Sequence, residues 1–420
     1  MLPRLMLVKQ EIPAPEINNI EHEAWKALYQ LNINPTKIRG LKIGITVGSR
    51  GIFSLVEILK VVINFVNKAG GKPIVIPAMG SHGGGTKEGQ EEILKSMGIC
   101  EESVGAPIYY GADAILLGST ETEIPVYSNP IASKMDGLII INRIKPHTDF
   151  SGNIESGICK MLTIGLGNPT GAQSAHTYAL EKGFVNVISE VSMFLLQKLP
   201  VLFALAIMEN WQGRTAAIRG ILPANILAKE AQLLKKVKSS TIKIPFKKFD
   251  ILVVKEIGKN ISGTGMDTKA IGRIRSIGQK EPKYPQIGRV VALNLTNESH
   301  GNATGIGLAD FTTRSVLKKI DFQSTSLNSI SSMAPEQGRL PCVLENDYKA
   351  IKTAICSLGA RESTDPRLVY IKNTSRLGCF AVSESMISEI RSYPWLTIMG
   401  GPAEMEFDSR GNLLNYSNEF

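Results

Sequence analysis

The sequence predicts an α/β protein of two domains, each built on a mainly parallel sheet, with the functional site in the cleft between them. Three observations lead there. Apolar runs of strand length alternate with amphipathic stretches of helix length, the βαβα order of a sheet with helices on its faces. The run Gly137-Leu138-Ile139-Ile140-Ile141 is apolar throughout, as a fully buried strand is. At 420 residues the chain is too long for one core. A polar stretch ending in proline, Lys238 to Pro245, marks the boundary. We therefore expect a catalytic, cofactor-binding domain over 1–245, an α/β domain over 246–400 that closes the site, and a tail over 401–420 packing on either domain.

Composition narrows the class of function. With 43% hydrophobic and 20% charged residues the chain is an ordinary globular one. The net charge is +9, but the basic residues are scattered and no zinc-finger or aromatic-basic recognition motif accompanies them. A field that draws in a small anion fits the charge equally well, and nucleic acid is not the expected partner. Cys100, Cys159, Cys342, Cys356 and Cys379 are widely spaced, odd in number and form no CxxC pair, so neither a disulfide framework nor a cysteine-only metal site is expected. The longest apolar stretch, Val191 to Met208, is broken by Gln197, Lys198 and Pro200 and falls short of a membrane span. The expectation is a cytoplasmic protein without a membrane partner.

Taken in order, Leu5 to Val8 reads as a strand and Ile20 to Leu31 as a helix with apolar spacing at Ile20, Trp25, Leu28 and Tyr29. His22 falls on the polar side of that helix and receives no function. A strand over 41–47 precedes the loop Gly48-Ser49-Arg50-Gly51. A helix follows from Ser54, which with Glu57 has the spacing of a capping box. The strand over 72–76 runs into Gly80-Ser81-His82-Gly83-Gly84-Gly85-Thr86 and a helix to Met97. The buried strand over 137–141 leads into the polar stretch Asn142 to His176, with the carboxylates Asp149 and Glu155. A helical pattern then continues to Leu196, followed by strands over 201–208 and 216–218 and a helix over 223–237. The second half restarts with strands over 251–254 and 290–295. Helices over 310–320, 324–332 and 345–357 follow, with strands near 367–371 and 395–398.

Chemistry-bearing residues collect where strands should end. In parallel sheets, loops at neighbouring C-terminal strand ends converge, which would bring Arg50, His82 and His147 together. Glycines around His82 leave backbone N–H groups open to a phosphate at a helix start, although the motif is neither a Walker loop nor a GxGxxG fingerprint. His82, His147, His176 and His300 all read as lying in glycine-rich loops after strands, and histidine exchanges protons near neutral pH. The spacing alone leaves metal ligand and base open. Lys160, after Ser156-Gly157-Ile158-Cys159, reads as solvent-reaching, covalent anchor or anion binder. Cys159 reads as a small buried residue rather than a nucleophile. Arg50 suits a carboxylate or phosphate clamp.

The ordered set Ser49-Arg50, Gly80-Ser81-His82, Pro146-His147, Ser156-Gly157-Ile158-Cys159-Lys160 and Ala175-His176 resembles the nickel-pincer-dependent lactate racemase family. The resemblance covers most of the first 240 residues and is weaker beyond. It implies racemisation or epimerisation of a small anionic 2-hydroxy acid by reversible hydride transfer to a covalently bound nickel-pincer nucleotide. That cofactor is nickel pyridinium-3,5-bisthiocarboxylic acid mononucleotide, and the enzymes that make it become partners. By the same resemblance His82 and His147 are the two bases and Lys160 is the covalent anchor. Ser49, Gly80, Ser81 and Gly83 line the cofactor, His176 ligates nickel, and Arg50 holds the substrate carboxylate. In the second domain Arg273, Arg275 and His300 stand as substrate-binding residues.

Departures point away from lactate itself. Val47 stands where the lactate enzymes carry an acidic residue, and three extra residues lie between His147 and the Ser-Gly stretch. Gly265-Met266-Asp267 replaces a Tyr-Pro-x-Asp segment, with Ile271-Gly272 in place of Tyr-Gln and Arg273 or Arg275 in place of a lysine. The extra arginines and His300 favour a larger or more acidic 2-hydroxy acid, or a sugar acid. Two other readings differ in class: a metal-dependent hydrolase or lyase with His82, His147 and His176 as ligands, and a non-catalytic protein holding an anion between two lobes. Lys160 discriminates, because only the racemase-like reading requires it.

Overall fold

A computed structural model describes residues 2–277, 279–360 and 365–414. It divides into two compact units: Ala14–Thr241, and the residues up to Pro13 together with those from Ile242 onward.

The strands of the chain are β1 Leu5–Gln10, β2 Lys42–Val47, β3 Lys72–Pro77, β4 Ile115–Ser119, β5 Pro125–Ser128, β6 Gly137–Arg143, β7 Val201–Glu209 and β8 Thr215–Ile221. They continue with β9 Lys248–Val254, β10 Gln286–Ala292, β11 Phe311–Thr313, β12 Cys342–Leu344, β13 Leu368–Ile371, β14 Cys379–Ser383 and β15 Leu396–Ile398. The helices within Ala14–Thr241 are α1 Ile20–Tyr29, α2 Leu55–Lys68, α3 Lys87–Ser96, α4 Glu101–Val104, α5 Ile158–Lys160, α6 Asn168–Lys182, α7 Phe184–Lys198 and α8 Ile226–Ser240.

The sheet of the unit Ala14–Thr241 has the order β3-β2-β6-β7-β8, parallel except for β7–β8. Its strands alternate between two cores. Ile43, Ile45, Ile139, Ile141, Phe203 and Leu205 face a layer containing α1 and α2. Ile74, Ile76, Leu138, Ile140, Ala204 and Ala206 face a layer containing α7 and α8. With both faces covered, every second residue lacks a polar alternative, and the strands become the continuous apolar runs seen in the sequence. Each fully buried aliphatic side chain there contributes about 1.5–3 kcal/mol.

The second unit carries an eight-stranded sheet, β12-β11-β10-β9-β13-β14-β1-β15. Its first five strands are parallel, and β14, β1 and β15 continue it antiparallel. Ala350, Ile351, Ala354 and Ile355, from the helix Asp347–Cys356, cover Ile251, Val253 and Val291 on one face. Both units are thus α/β with mainly parallel strands.

Several local expectations change. The sequence reading grouped residues 1–13 with the domain that follows them. Instead β1 sits inside the second unit's sheet between β14 and β15, where its backbone pairs on both edges and Leu5, Met6 and Val8 are buried. The boundary near 238–245 corresponds to the unit limit at Thr241–Ile242. Ser54 makes no capping hydrogen bond: it adopts a left-handed conformation (φ 58°), which turns its hydroxyl away from the first turn of α2. The stretch 310–320 opens with β11 before its helix, since the buried β-branched pair Thr312-Thr313 pairs with β10 and β12. The hairpin β4–β5 and strands β12 and β14 carried no sequence signal strong enough to anticipate. From the tail, Ala403 bridges to Leu5 and Phe407 to Leu413, both within the second unit, while residues 415–420 lie outside the described residues.

Candidate active site

The parallel sheet fixes where the candidate residues gather. The chain passes from β2 outward to β3, then crosses back to place β6 on the other side of β2. At such a reversal the loops after adjacent strands diverge and leave a crevice at the carboxyl edge. Ser49 and Arg50 follow β2, His82 follows β3, and His147 follows β6.

Ser49 Oγ lies 2.6 Å from His82 Nδ1, tying the first two loops together. Gly80 and Gly83 both hold positive φ (60° and 68°), and a Cβ at Gly83 would meet the backbone of Gly89 at 2.6 Å. Only glycine allows this loop to fold so tightly against the start of α3. His82 and Ser81 stay exposed above it. Arg50 is also exposed and has no ion-pair partner among the described residues. Crowding by protein, and then Arg143 nearby, lower its pKa from the usual guanidinium value. Arg143 itself pairs with Glu209 across β6 and β7.

The loop after β6 is pinned at both ends. Lys145 and Ser156 exchange backbone hydrogen bonds at 2.8 and 3.2 Å, closing residues 146–155 into a compact excursion. Glu155, fully buried, sits beneath it and accepts the N–H groups of His147 (2.6 Å) and Gly152 (2.9 Å) and the Lys238 ammonium (2.5 Å). The longer spacing between His147 and the Ser-Gly stretch is therefore an ordered loop organised by one carboxylate.

His147 Nε2 is 2.6 Å from Lys160 Nζ, and its Nδ1 accepts the Asp149 N–H at 3.1 Å. A neutral imidazole that accepts at Nδ1 carries its proton on Nε2. In that tautomer the ring donates to the neutral amine form of Lys160, which dominates above about pH 8. Burial pulls the Lys160 pKa down to about 8, Asp149 opposing and Arg50 assisting. These couplings also bring Arg50, Asp149 and Lys160 into one electrostatic cluster.

His176 lies in the middle of α6 rather than in a loop after a strand, as the sequence reading had it. Asn168-Pro169 starts the helix, proline being tolerated in a first turn. Its Nδ1 is buried without a hydrogen-bond partner among the described residues. Burial, and secondarily Lys160, depress its pKa to about 4, so the ring is neutral at physiological pH.

Two phenylalanines that sequence reasoning missed link the histidines. The His147 ring stacks on Phe150 (centroids 4.3 Å), Phe150 stacks on Phe184 (4.8 Å), and Phe184 meets the edge of His176 (5.2 Å). The available signal was Phe150 itself, a large apolar residue inside a polar loop. Arg143, Glu209 and Glu230 were missed as well, being ordinary strand-end and helix residues in sequence. Cys159 is fully buried, and burial together with Glu230 raises its thiol well above the ordinary range, which suits a packing role.

In the other unit, Arg273 donates to the carbonyls of Leu308, Ile287 and Gly288 and pairs with Asp310 at 2.7 Å. Arg275 donates to the Gly307 carbonyl and keeps a longer 3.6 Å approach to Asp310. Arg273 is thus absorbed in holding its own loop, while Arg275 and His300 are exposed.

Among the described residues no three His, Cys, Asp or Glu side chains converge as a metal cage. No described helix is long and apolar enough to cross a membrane.

No protein-family profile and no curated protein match the chain. Among solved structures it is similar to the lactate racemase apoprotein from Thermoanaerobacterium thermosaccharolyticum, at 13% identity with a TM-score of 0.53, over 88% of this chain and 94% of that one. The shared feature is the α/β fold.

Proposed function

We propose that the chain is an isomerase, a racemase or epimerase of a small 2-hydroxy acid, working with a covalently attached nickel-pincer nucleotide. The observation that carries this reading is the contact between Lys160 and His147, a partly buried lysine whose pKa burial pulls down to about 8, next to an imidazole whose Nδ1 accepts the Asp149 N–H. A lysine in open solvent would keep a far smaller fraction of neutral amine. The residues fit the cofactor. Lys160 supplies an amine nucleophile, and His176 supplies a neutral imidazole with an unpartnered buried nitrogen, the form that ligates a transition metal. When bound, the cofactor supplies reversible hydride acceptance at its ring.

The chain's own residues then have defined tasks. Arg50, exposed and without an acidic partner among the described residues, holds the substrate carboxylate. With Lys160 joined to the cofactor, its nitrogen would no longer offer a lone pair to His147 Nε2. The ring would then take the substrate hydroxyl proton at Nε2 in its other tautomer, with its own proton on Nδ1 and the Asp149 N–H contact given up. His82, oriented by Ser49, does the same from the neighbouring loop. Two bases on different strands meet the need of a reaction in which both enantiomers are deprotonated. Glu155 keeps His147 in place by fixing its backbone.

The test is co-expression with enzymes that make the cofactor, followed by peptide mass and nickel measurement. The expected result is a mass adduct on Lys160 with about one nickel per chain. Lys160→Arg should abolish the adduct. His82→Ala and His147→Ala should keep it but lose inversion of 2-hydroxy acids by at least ~100-fold. An unmodified, nickel-free chain under those conditions would overturn the proposal.

A further inference from the structure

We propose that Glu230 is a positioning residue for the Lys160 amine, acting through the backbone of the short helical segment that carries the lysine. Glu230 projects from α8 and is fully buried. Its Oε2 accepts the Cys159 N–H at 2.8 Å, one residue before Lys160. That N–H belongs to the first turn of α5, whose leading donors have no partner within the helix. The other oxygen, Oε1, makes no hydrogen bond among the described residues. Position 157 is shaped to admit this carboxylate, since a Cβ on Gly157 would collide with it. From the opposite side Asn142 Nδ2 donates to the Gly157 carbonyl at 2.7 Å. The backbone of 157–159 is therefore held by two side chains from other elements, immediately ahead of the lysine.

A buried carboxyl with a spare oxygen is a costly way to fill space that an apolar side chain would fill at no penalty. Burial holds it at about 7, and the titratable group facing it is the Cys159 thiol. The groups acting on Lys160 are Asp149 and Arg50, with His147 in contact and His176 coupled to it. Glu230 is not among them. Its influence on the amine is geometric: it fixes the turn from which the side chain reaches His147 Nε2.

This inference rests on Lys160 being the reacting residue, but it concerns the amine of the unloaded chain. Failure of nickel loading and failure here are therefore separate results. The experiment labels the full, unloaded chain with the N-hydroxysuccinimide ester of acetic acid across a pH series and follows each lysine by peptide mass. In the native chain and in Glu230→Gln, whose amide oxygen still accepts the Cys159 N–H, Lys160 should react with a midpoint at about 8. In Glu230→Ala the midpoint should rise by about one unit, slowing labelling of Lys160 about tenfold near pH 7 while other lysines keep their rates. Glu230→Met, similar in volume but without the acceptor, makes the same measurement if the alanine variant does not fold. A folded Ala or Met variant with the native Lys160 profile overturns the proposal. So does a Gln variant that behaves like Ala, because the charge and not the accepting oxygen would then matter.

Discussion

At the scale of one residue, the proposed chemistry rests on Lys160. A lysine pKa of about 8, set first by burial, means that the neutral amine is the minority form near pH 7 and dominates above about pH 8. Attachment of an electrophile should therefore accelerate with rising pH and level off above about 8, measured as the rate of adduct formation on Lys160. His147→Ala should move the midpoint of that attachment to higher pH, because the Nε2–H that favours the neutral amine of Lys160 is lost. His176→Ala should leave the Lys160 adduct in place but reduce retained nickel, read by metal analysis of the loaded protein. This follows from the unpartnered Nδ1 and the depressed pKa, which leave that nitrogen's lone pair available.

At the scale of the element, two buried carboxylates organise the segment between β6 and α6, and they behave oppositely. Glu155 is saturated by two backbone N–H groups and Lys238. Glu155→Ala leaves those donors buried without their acceptor and should cost about 2–4 kcal/mol in chemical denaturation. Glu230 is raised from 4.5 to about 7 by burial. Its folded form holds a proton that the unfolded chain has already released between those values. Its favourable share of stability is thus complete below about 4.5 and is lost as pH rises through about 7, a difference of about 3 kcal/mol. Glu230→Gln removes this titration. The variant should gain stability relative to the native chain as pH is raised from about 4 to 8, measured by urea denaturation at each pH. A constant difference across that range would show that Glu230 does not titrate so.

The whole molecule adds a constraint that neither unit's chemistry reveals. β1, within the first ten residues of the chain, completes a sheet otherwise built from residue 248 onward. Residues 242–420 expressed alone should leave β14 and β15 with exposed edges and aggregate. A peptide of residues 1–13 added during refolding should restore solubility, and light scattering measures both outcomes. The net charge of +9 belongs to this scale as well. Under the proposed reaction, turnover of an anionic 2-hydroxy acid at low concentration should fall as ionic strength rises, because the attraction is screened.

The α/β class, the strands beneath the site and the loop positions of Arg50, His82 and His147 were determined by sequence alone. Continuous apolar runs have no stable place except a sheet covered on both faces, and polar residues at their ends must emerge at its edge. The tertiary structure decided what local pattern does not encode. It placed His176 inside a helix, enclosed Lys160 enough to make it neutral above about pH 8, and fixed the His147 tautomer through the Asp149 N–H. It brought Phe150 and Phe184 between the two histidines and set Glu230 under the turn carrying Lys160. These features arise from contacts between segments far apart in the chain. Desolvation and hydrogen-bond direction depend on what surrounds a group in space, and no spacing of residue types along one strand or helix specifies that.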